Sequence, residues 1–163
     1  MKKMTIISIL VFLIDRIIKV IISSNFKLNV RNKVIDGFFY ITNCHNEGAA
    51  FSIFDGNRIF LILVTLIVLF LFYRYLIKNK NMSKLQTISY GILLGGIFGN
   101  LFDRIVYGYV IDYLDFIIFN FDFAIFNLAD VAIVVSAFII ILFEGSDKDG
   151  KNISKSKWNR RIY

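Results

Sequence analysis

Apolar residues fill this chain in long blocks, and polar residues collect between them. Four stretches approach the roughly 20 helical residues that cross a hydrocarbon layer. They run from Met4 to Ile22, Ile59 to Ile77, Leu85 to Phe102 and Leu128 to Phe143. The fourth is the shortest, and an extension through Phe123 to Phe126 would lengthen it. Between the first two, Val34 to Cys44 alternate as a strand does, which predicts a small sheet lying on the membrane with Phe38, Phe39 and Tyr40 at the interface. The pattern predicts a mainly α membrane protein: four transmembrane helices plus a small β-rich extracytoplasmic loop between helices 1 and 2.

Composition agrees. The 163 residues are 57% hydrophobic and 17% aromatic, only 19% are charged, and proline is absent, which places the chain in the membrane class. The length suits a single unit over 1–145, with the polar, basic stretch 146–163 expected as a disordered cytoplasmic tail. Lys2 and Lys3 ahead of the first stretch imitate a secretion signal. Asp15, Arg16 and Lys19 interrupt that stretch, however, and Ile22-Ser23-Ser24 is a poor cleavage site, so it is expected to stay as a span.

Charge sets direction. Twelve of the nineteen Lys and Arg fall on one side if the chain crosses four times, so both termini are expected in the cytoplasm. The loops Lys27 to Arg58 and Asp103 to Asp130 then face outward and carry most of the acids. A net charge of +7 could suggest nucleic acid, but the basic residues flank the apolar stretches and accompany no nucleic-acid motif. Attraction to an anionic inner leaflet explains them, so lipid and not nucleic acid is the expected partner.

The chemistry-bearing candidates are few. Cys44 is the one cysteine and His45 the one histidine, too few donors for a zinc site and a poor basis for a Ser-His-Asp triad. No metal and no cofactor is expected. Two acids remain, Asp112 in V-I-D-Y-L and Asp130 in F-N-L-A-D, which consecutive spans return to the same outer edge. A carboxylate near lipid is costly, which makes each a functional candidate, and two together are the minimum for acid/base chemistry on a buried bond.

Other polar residues frame them. Asp15 and Lys19, four apart on the first helix, are spaced as an intrahelical ion pair that should face the bundle interior. Gly91, Gly95 and Gly99 form a small-residue row leading to Asp103, and Gly96, Asn100 and Arg104 form the adjacent row. Asn127 can cap the fourth helix with Asp130 at its third position, where an acid suits the positive end of the macrodipole. Asn46 and the small residues after it, Gly48 among them, would let backbone and amide approach a substrate chain.

Five segments in this order resemble the lipoprotein signal peptidases, also called signal peptidase II: D-R-I-I-K from Asp15, N-E-G-A-A-F from Asn46, G-I-F-G-N-L-F-D-R from Gly96, G-Y-V-I-D-Y from Gly108 and F-N-L-A-D from Phe126. The resemblance implies an aspartic endopeptidase of the bacterial inner membrane, its site facing outward. Such an enzyme removes signal peptides from diacylglyceryl-modified prolipoproteins, cutting just ahead of the lipidated cysteine. It implies Asp112 and Asp130 as catalytic dyad, and Asn46, Gly48, Asn100, Arg104 and Asn127 as residues that shape the site. Asp15, Lys19, Gly96 and Asp103 would support it. Globomycin-type inhibitors and membrane lipids are further expected partners, and a monomer is the expected state. The chain departs from the family at Phe123 to Phe126, where a proline is usual, and at Val131, where a small polar residue is usual. Neither departure removes a group the chemistry requires.

Two adjoining carboxylates share their ionisation, so one should keep a proton while the other acts as base. The helix N-terminus assigns the charge to Asp130 and the proton to Asp112. A small proton-coupled transporter or channel is the alternative, weakened because only Asp15 and Lys19 lie within a span and no relay of acids crosses the membrane.

Overall fold

The computed structural model describes residues 1–49, 53–79 and 82–159, with side chains as far as Phe143. Phe51, within the motif that starts at Asn46, lies outside the described residues. The element order is α1 (Lys2–Asn25), β1 (Arg31–Ile35), β2 (Phe39–Asn46), α2 (Arg58–Lys78), α3 (Lys84–Val106), β3 (Val110–Ile118), β4 (Phe121–Asp122) and α4 (Leu128–Asn159). Each predicted apolar stretch lies inside one helix. Among the described residues, α2 and α3 are long and apolar enough to cross a membrane, while Leu128–Phe143 is a shorter apolar segment of α4. α4 continues to Asn159 and so takes in most of the basic stretch read as a tail.

The polarity of the helices is reversed relative to a protein built for water. Ile6, Ile9, Leu10, Leu13 and Ile17 of α1 are exposed, while Asp15 and Lys19 on the same helix are fully buried. Exposed aliphatic surface on this scale favours an apolar surrounding. α2 is exposed almost all round and buries only Leu61 and Leu76.

α3 is the central helix, packed between α1 and α4. Its start is fixed by a capping box, in which Ser83 Oγ accepts from Gln86 N and Gln86 Oε1 accepts from Ser83 N. Its glycine rows divide the neighbours. A Cβ on Gly91 would lie 2.8 Å from Ile7 Cβ, and one on Gly95 2.6 Å from Val11 Cβ, so that row lets α1 approach. A Cβ on Gly96 would lie 2.5 Å from the carbonyl of Ala129, so the adjacent row admits α4.

Three expectations are corrected. The sheet is not confined to the loop between the first two helices: it is a four-stranded antiparallel sheet in the order β1-β2-β3-β4, and β3 and β4 come from the connection between α3 and α4. Val110 to Ile118 carries no polar alternation because that strand is buried along most of its length, so its pattern resembles a buried run. The alternating run from Val34 to Cys44 is two strands, turned at Asp36 and Gly37, where Gly37 takes φ +69°. Phe123 to Phe126 does not extend the last helix. Phe126 exchanges backbone hydrogen bonds with Leu114, which draws this segment along β3 and delays the helix to Leu128.

Candidate active site

Asp112 lies on β3, buried, and Asp130 lies in the first turn of α4. Asn127 connects them. Its backbone N–H donates to Asp130 Oδ2 at 3.1 Å while its Oδ1 accepts from Asp130 N at 3.0 Å, a reciprocal cap that starts α4 as the sequence predicts. Its Nδ2 donates to Asp112 Oδ1 at 2.6 Å. The capping residue of one helix thus doubles as the link between two carboxyls eighteen positions apart.

The other amides complete the set. Asn46 Nδ2 donates to Asp112 Oδ2 at 2.8 Å, and Asn46 Oδ1 accepts from Gly48 N at 3.0 Å. Asn100 Nδ2 donates to Asp130 Oδ1 at 2.7 Å. Asn100 Oδ1 accepts from Lys19 Nζ at 3.0 Å and from Asn127 Nδ2 at 3.2 Å, an arrangement that fixes which end of the amide faces Asp130. Arg104 donates from Nη2 to the carbonyl of Gly48 at 2.7 Å, and its buried Nε has no hydrogen-bond partner among the described residues.

Behind this layer sits an ionic one. Lys19 Nζ is 2.9 Å from Asp15 Oδ2 and 2.8 Å from Asp103 Oδ2, and all three residues are fully buried. The contact with Asp15 Oδ2 is electrostatic, without hydrogen-bond alignment. Asp15 Oδ1 accepts from Ala129 N at 3.2 Å, joining α1 to the first turn of α4. Asp103 also pairs with Arg16, whose guanidinium lies over the rings of Phe102 and Tyr107. Gly96 does not reach the carboxyls. It acts through close packing against Ala129.

A cavity of about 470 Å³ opens beside the carboxyls. Asn46, Asn100, Arg104, Asp112 and Asp130 line its polar side, and Phe123, Phe126, Val131 and Val134 line its apolar side. Both segments that depart from the family pattern are therefore part of the wall. Burial, and after it the charge of Asp130, pushes the Asp112 carboxyl up to about 7, against the lowering effect of the Asn46 and Asn127 donors and of Lys19. Cys44 directly faces Asp112 across the sheet, and burial followed by the charges of Asp112 and Asp115 pushes its thiol up, away from the reactive thiolate. Burial lowers His45, whose ring stacks on Tyr109 at 3.7 Å. Among the described residues no group of three His, Cys, Asp or Glu is placed to hold a metal ion.

Sequence reasoning missed several participants. Arg16 was legible only as a charge within an apolar stretch, yet it partners Asp103. Tyr113 Oη accepts from Leu128 N at 3.1 Å and so helps present the start of α4. Ala49 and Val110 line the cavity without any polar signal in the sequence.

A family model described as signal peptidase (SPase) II matches residues 7–144. A lipoprotein signal peptidase of Halothermothrix orenii is 38% identical over 138 residues, spanning 85% of this chain and 92% of the relative. One of Bacillus pumilus is 36% identical over 93% of this chain and 96% of its own length, and one of Staphylococcus aureus is 32% identical over 93% of each. A solved structure described as a bacterial membrane enzyme, determined by the in meso method at 2.3 Å resolution, superposes with a TM-score of 0.84. It is 31% identical and covers 93% of this chain and 92% of its own. A second, at 1.9 Å resolution, gives a TM-score of 0.77 at 32% identity over 87% and 92% of the two chains.

Proposed function

The chain belongs to the signal peptidase II family, and from that premise we propose that it removes signal peptides from diacylglyceryl-modified prolipoproteins, cleaving ahead of the lipidated cysteine with Asp112 and Asp130 as an aspartic dyad. The observation that carries the reading is the convergence of both carboxyls on Asn127 at the wall of one cavity. Asp130, at the helix N-terminus and accepting from Asn127 N and Asn100 Nδ2, is the anion that takes a proton from the attacking water. Asp112, pushed up to about 7, carries the proton, polarises the scissile carbonyl and then helps to protonate the leaving amine. Asn46, Gly48 and Arg104 hold the peptide on the side of the sheet, while the apolar wall from Phe123 to Val134 accepts the lipid-bearing side.

In this reading α1 to α4 all cross the bacterial inner membrane, both termini lie in the cytoplasm, the sheet lies on the outer surface, and the enzyme acts as a monomer that globomycin-type inhibitors occupy. The exposed aliphatic faces of the helices and the basic residues flanking them support this placement. Purified protein in lipid should cleave a diacylglyceryl-modified prolipoprotein at a single bond. Asp112→Asn and Asp130→Asn should each reduce the rate by at least about 10³-fold, as loss of a member of a cooperating pair does. Cleavage that survives either substitution would eliminate the dyad.

A further inference from the structure

β3, the strand that carries Asp112, pairs with β2 in two registers. The ladder is regular from Phe39 opposite Phe116 to Ile41 opposite Leu114, and regular again from Cys44 opposite Asp112 to Asn46 opposite Val110. Between them Thr42 and Asn43 together face Tyr113 alone, which is a β-bulge of one residue. Side chains alternate faces along a strand, so one inserted residue turns every later β2 side chain over. In the register of the first segment Asn46 would face Tyr109, on the side of the sheet opposite Asp112. With the bulge Asn46 faces Val110, shares the face of Asp112, and reaches its Oδ2 at 2.8 Å.

Both bulge residues are tied down. Thr42 Oγ1 donates to Asp115 Oδ2 at 2.7 Å. Arg31 holds the same carboxylate with a fork, Nε to Oδ2 at 2.7 Å and Nη2 to Oδ1 at 3.1 Å, and its Nη2 also reaches Asp122 at 2.9 Å. Asn43 Nδ2 donates to the carbonyl of Phe26 at 2.9 Å, and the Asn43 carbonyl accepts from Asn29 N at 2.8 Å. One fully buried carboxylate therefore joins β1, β2 and β3, and through Arg31 also β4. Neither Thr42 nor Asp115 lines the cavity. The Arg31 side chain is 40% exposed while the Asp115 carboxylate is fully buried; a buried carboxylate has to be held by donors, and the donors from Thr42 and Arg31 fix where β1 and β2 meet β3.

We infer that Thr42, Asp115 and Arg31 are positioning residues that lock the Thr42–Asn43 bulge and thereby turn Asn46 toward Asp112. The inference rests on the dyad reading and is tested separately from it. Cys44 directly faces position 112, so Asp112→Cys sets two thiols at the roughly 4.5–5.5 Å Cα spacing of an opposed pair, within reach of a disulfide. Oxidation of that purified variant in lipid should bridge Cys44 to the introduced thiol, and adding Thr42→Val or Arg31→Lys should slow the bridge severalfold. With the dyad intact, Thr42→Val should lower kcat about tenfold and KM by less than about twofold, the loss expected for one buried hydrogen bond felt at the reacting centre, and Thr42→Ser should restore it. Arg31→Lys keeps the charge and loses the fork, and gives the same direction should Thr42→Val fold poorly. An Asp112→Cys variant that stays reduced, or Thr42→Val and Arg31→Lys enzymes with parental kcat and undiminished bridging, would overturn the lock. Bridging that depends on Thr42 and Arg31 in a parent that cleaves nothing would leave the lock standing and sink the peptidase reading.

Discussion

Asp112 is held between opposing influences. Burial and Asp130 favour its neutral form, while the Asn46 and Asn127 donors and the charge of Lys19 favour its anion, and the carboxyl settles at about 7. Arg104 from α3, the Cys44 thiol from β2 and the neighbouring Tyr113 also feel its charge. Because Asp112 works in its protonated form, the upper limb of the cleavage profile declines as pH rises through about 7, while the need for an ionised Asp130 makes cleavage fall again in acid. Asn46→Leu removes a donor that favours the anion, so the declining limb should move to higher pH even as the maximum rate drops. A pH–rate profile checks this, and a limb that moves lower would refute the role given to Asn46. From the sequence, the helix N-terminus alone gives the proton to Asp112. The sequence offers two acids at one edge, whereas the shift depends on which amides face them.

At the scale of elements, the start of α4 combines stability and chemistry in Asn127. Asn127→Asp keeps an oxygen that can cap Asp130 N but loses the Nδ2 donor to Asp112 and Asn100. Cleavage should fall by about 10²-fold or more, as on loss of a preorganised donor, while the loss of the amide alone costs about 1–3 kcal/mol of stability; thermal melts beside initial rates separate the two. The glycine rows of α3 give a second prediction. A Cβ on Gly99 would meet Asp15 Oδ2 at 2.5 Å and Ala129 Cβ at 3.3 Å, so Gly99→Ala should destabilise by about 1–3 kcal/mol, read as a lower melting temperature. The four-residue spacing announced that a helix would come close, and the i, i+4 spacing of Asp15 and Lys19 announced their pairing. Neither told which helix each glycine row receives, because a row of small residues fits any neighbour of suitable shape.

For the whole molecule, an ionic cluster is buried inside while aliphatic surface lies outside. Lys19 joins Asp15 and Asp103 from two helices at a single ammonium, and Asn100 passes that contact on to Asp130, so the ion cluster and the carboxyl pair form one polar column within an apolar bundle. The proposed orientation has a direct check. In a Cys44→Ser background, a thiol introduced as Asp55→Cys should react with an impermeant maleimide from outside intact cells, whereas one introduced as Lys148→Cys should react only after permeabilisation. The reverse pattern would invert the topology and with it the side on which the site opens.

By itself the sequence determined the class of protein, the positions of four apolar helices, the cap at Asn127 and the two candidate acids, Asp112 and Asp130. These depend on local properties: run length, period and the chemistry of a helix terminus. Only the tertiary structure decided that Asp112 sits on a strand, that the sheet draws half its strands from the connection before α4, and that one bulge sets the face on which Asn46 lies. Strand pairing joins residues about seventy positions apart, and its register turns on a single inserted residue that leaves no periodic mark in the chain. Arg31 and Asp115 are ordinary charges until the fold closes them on each other across 84 positions.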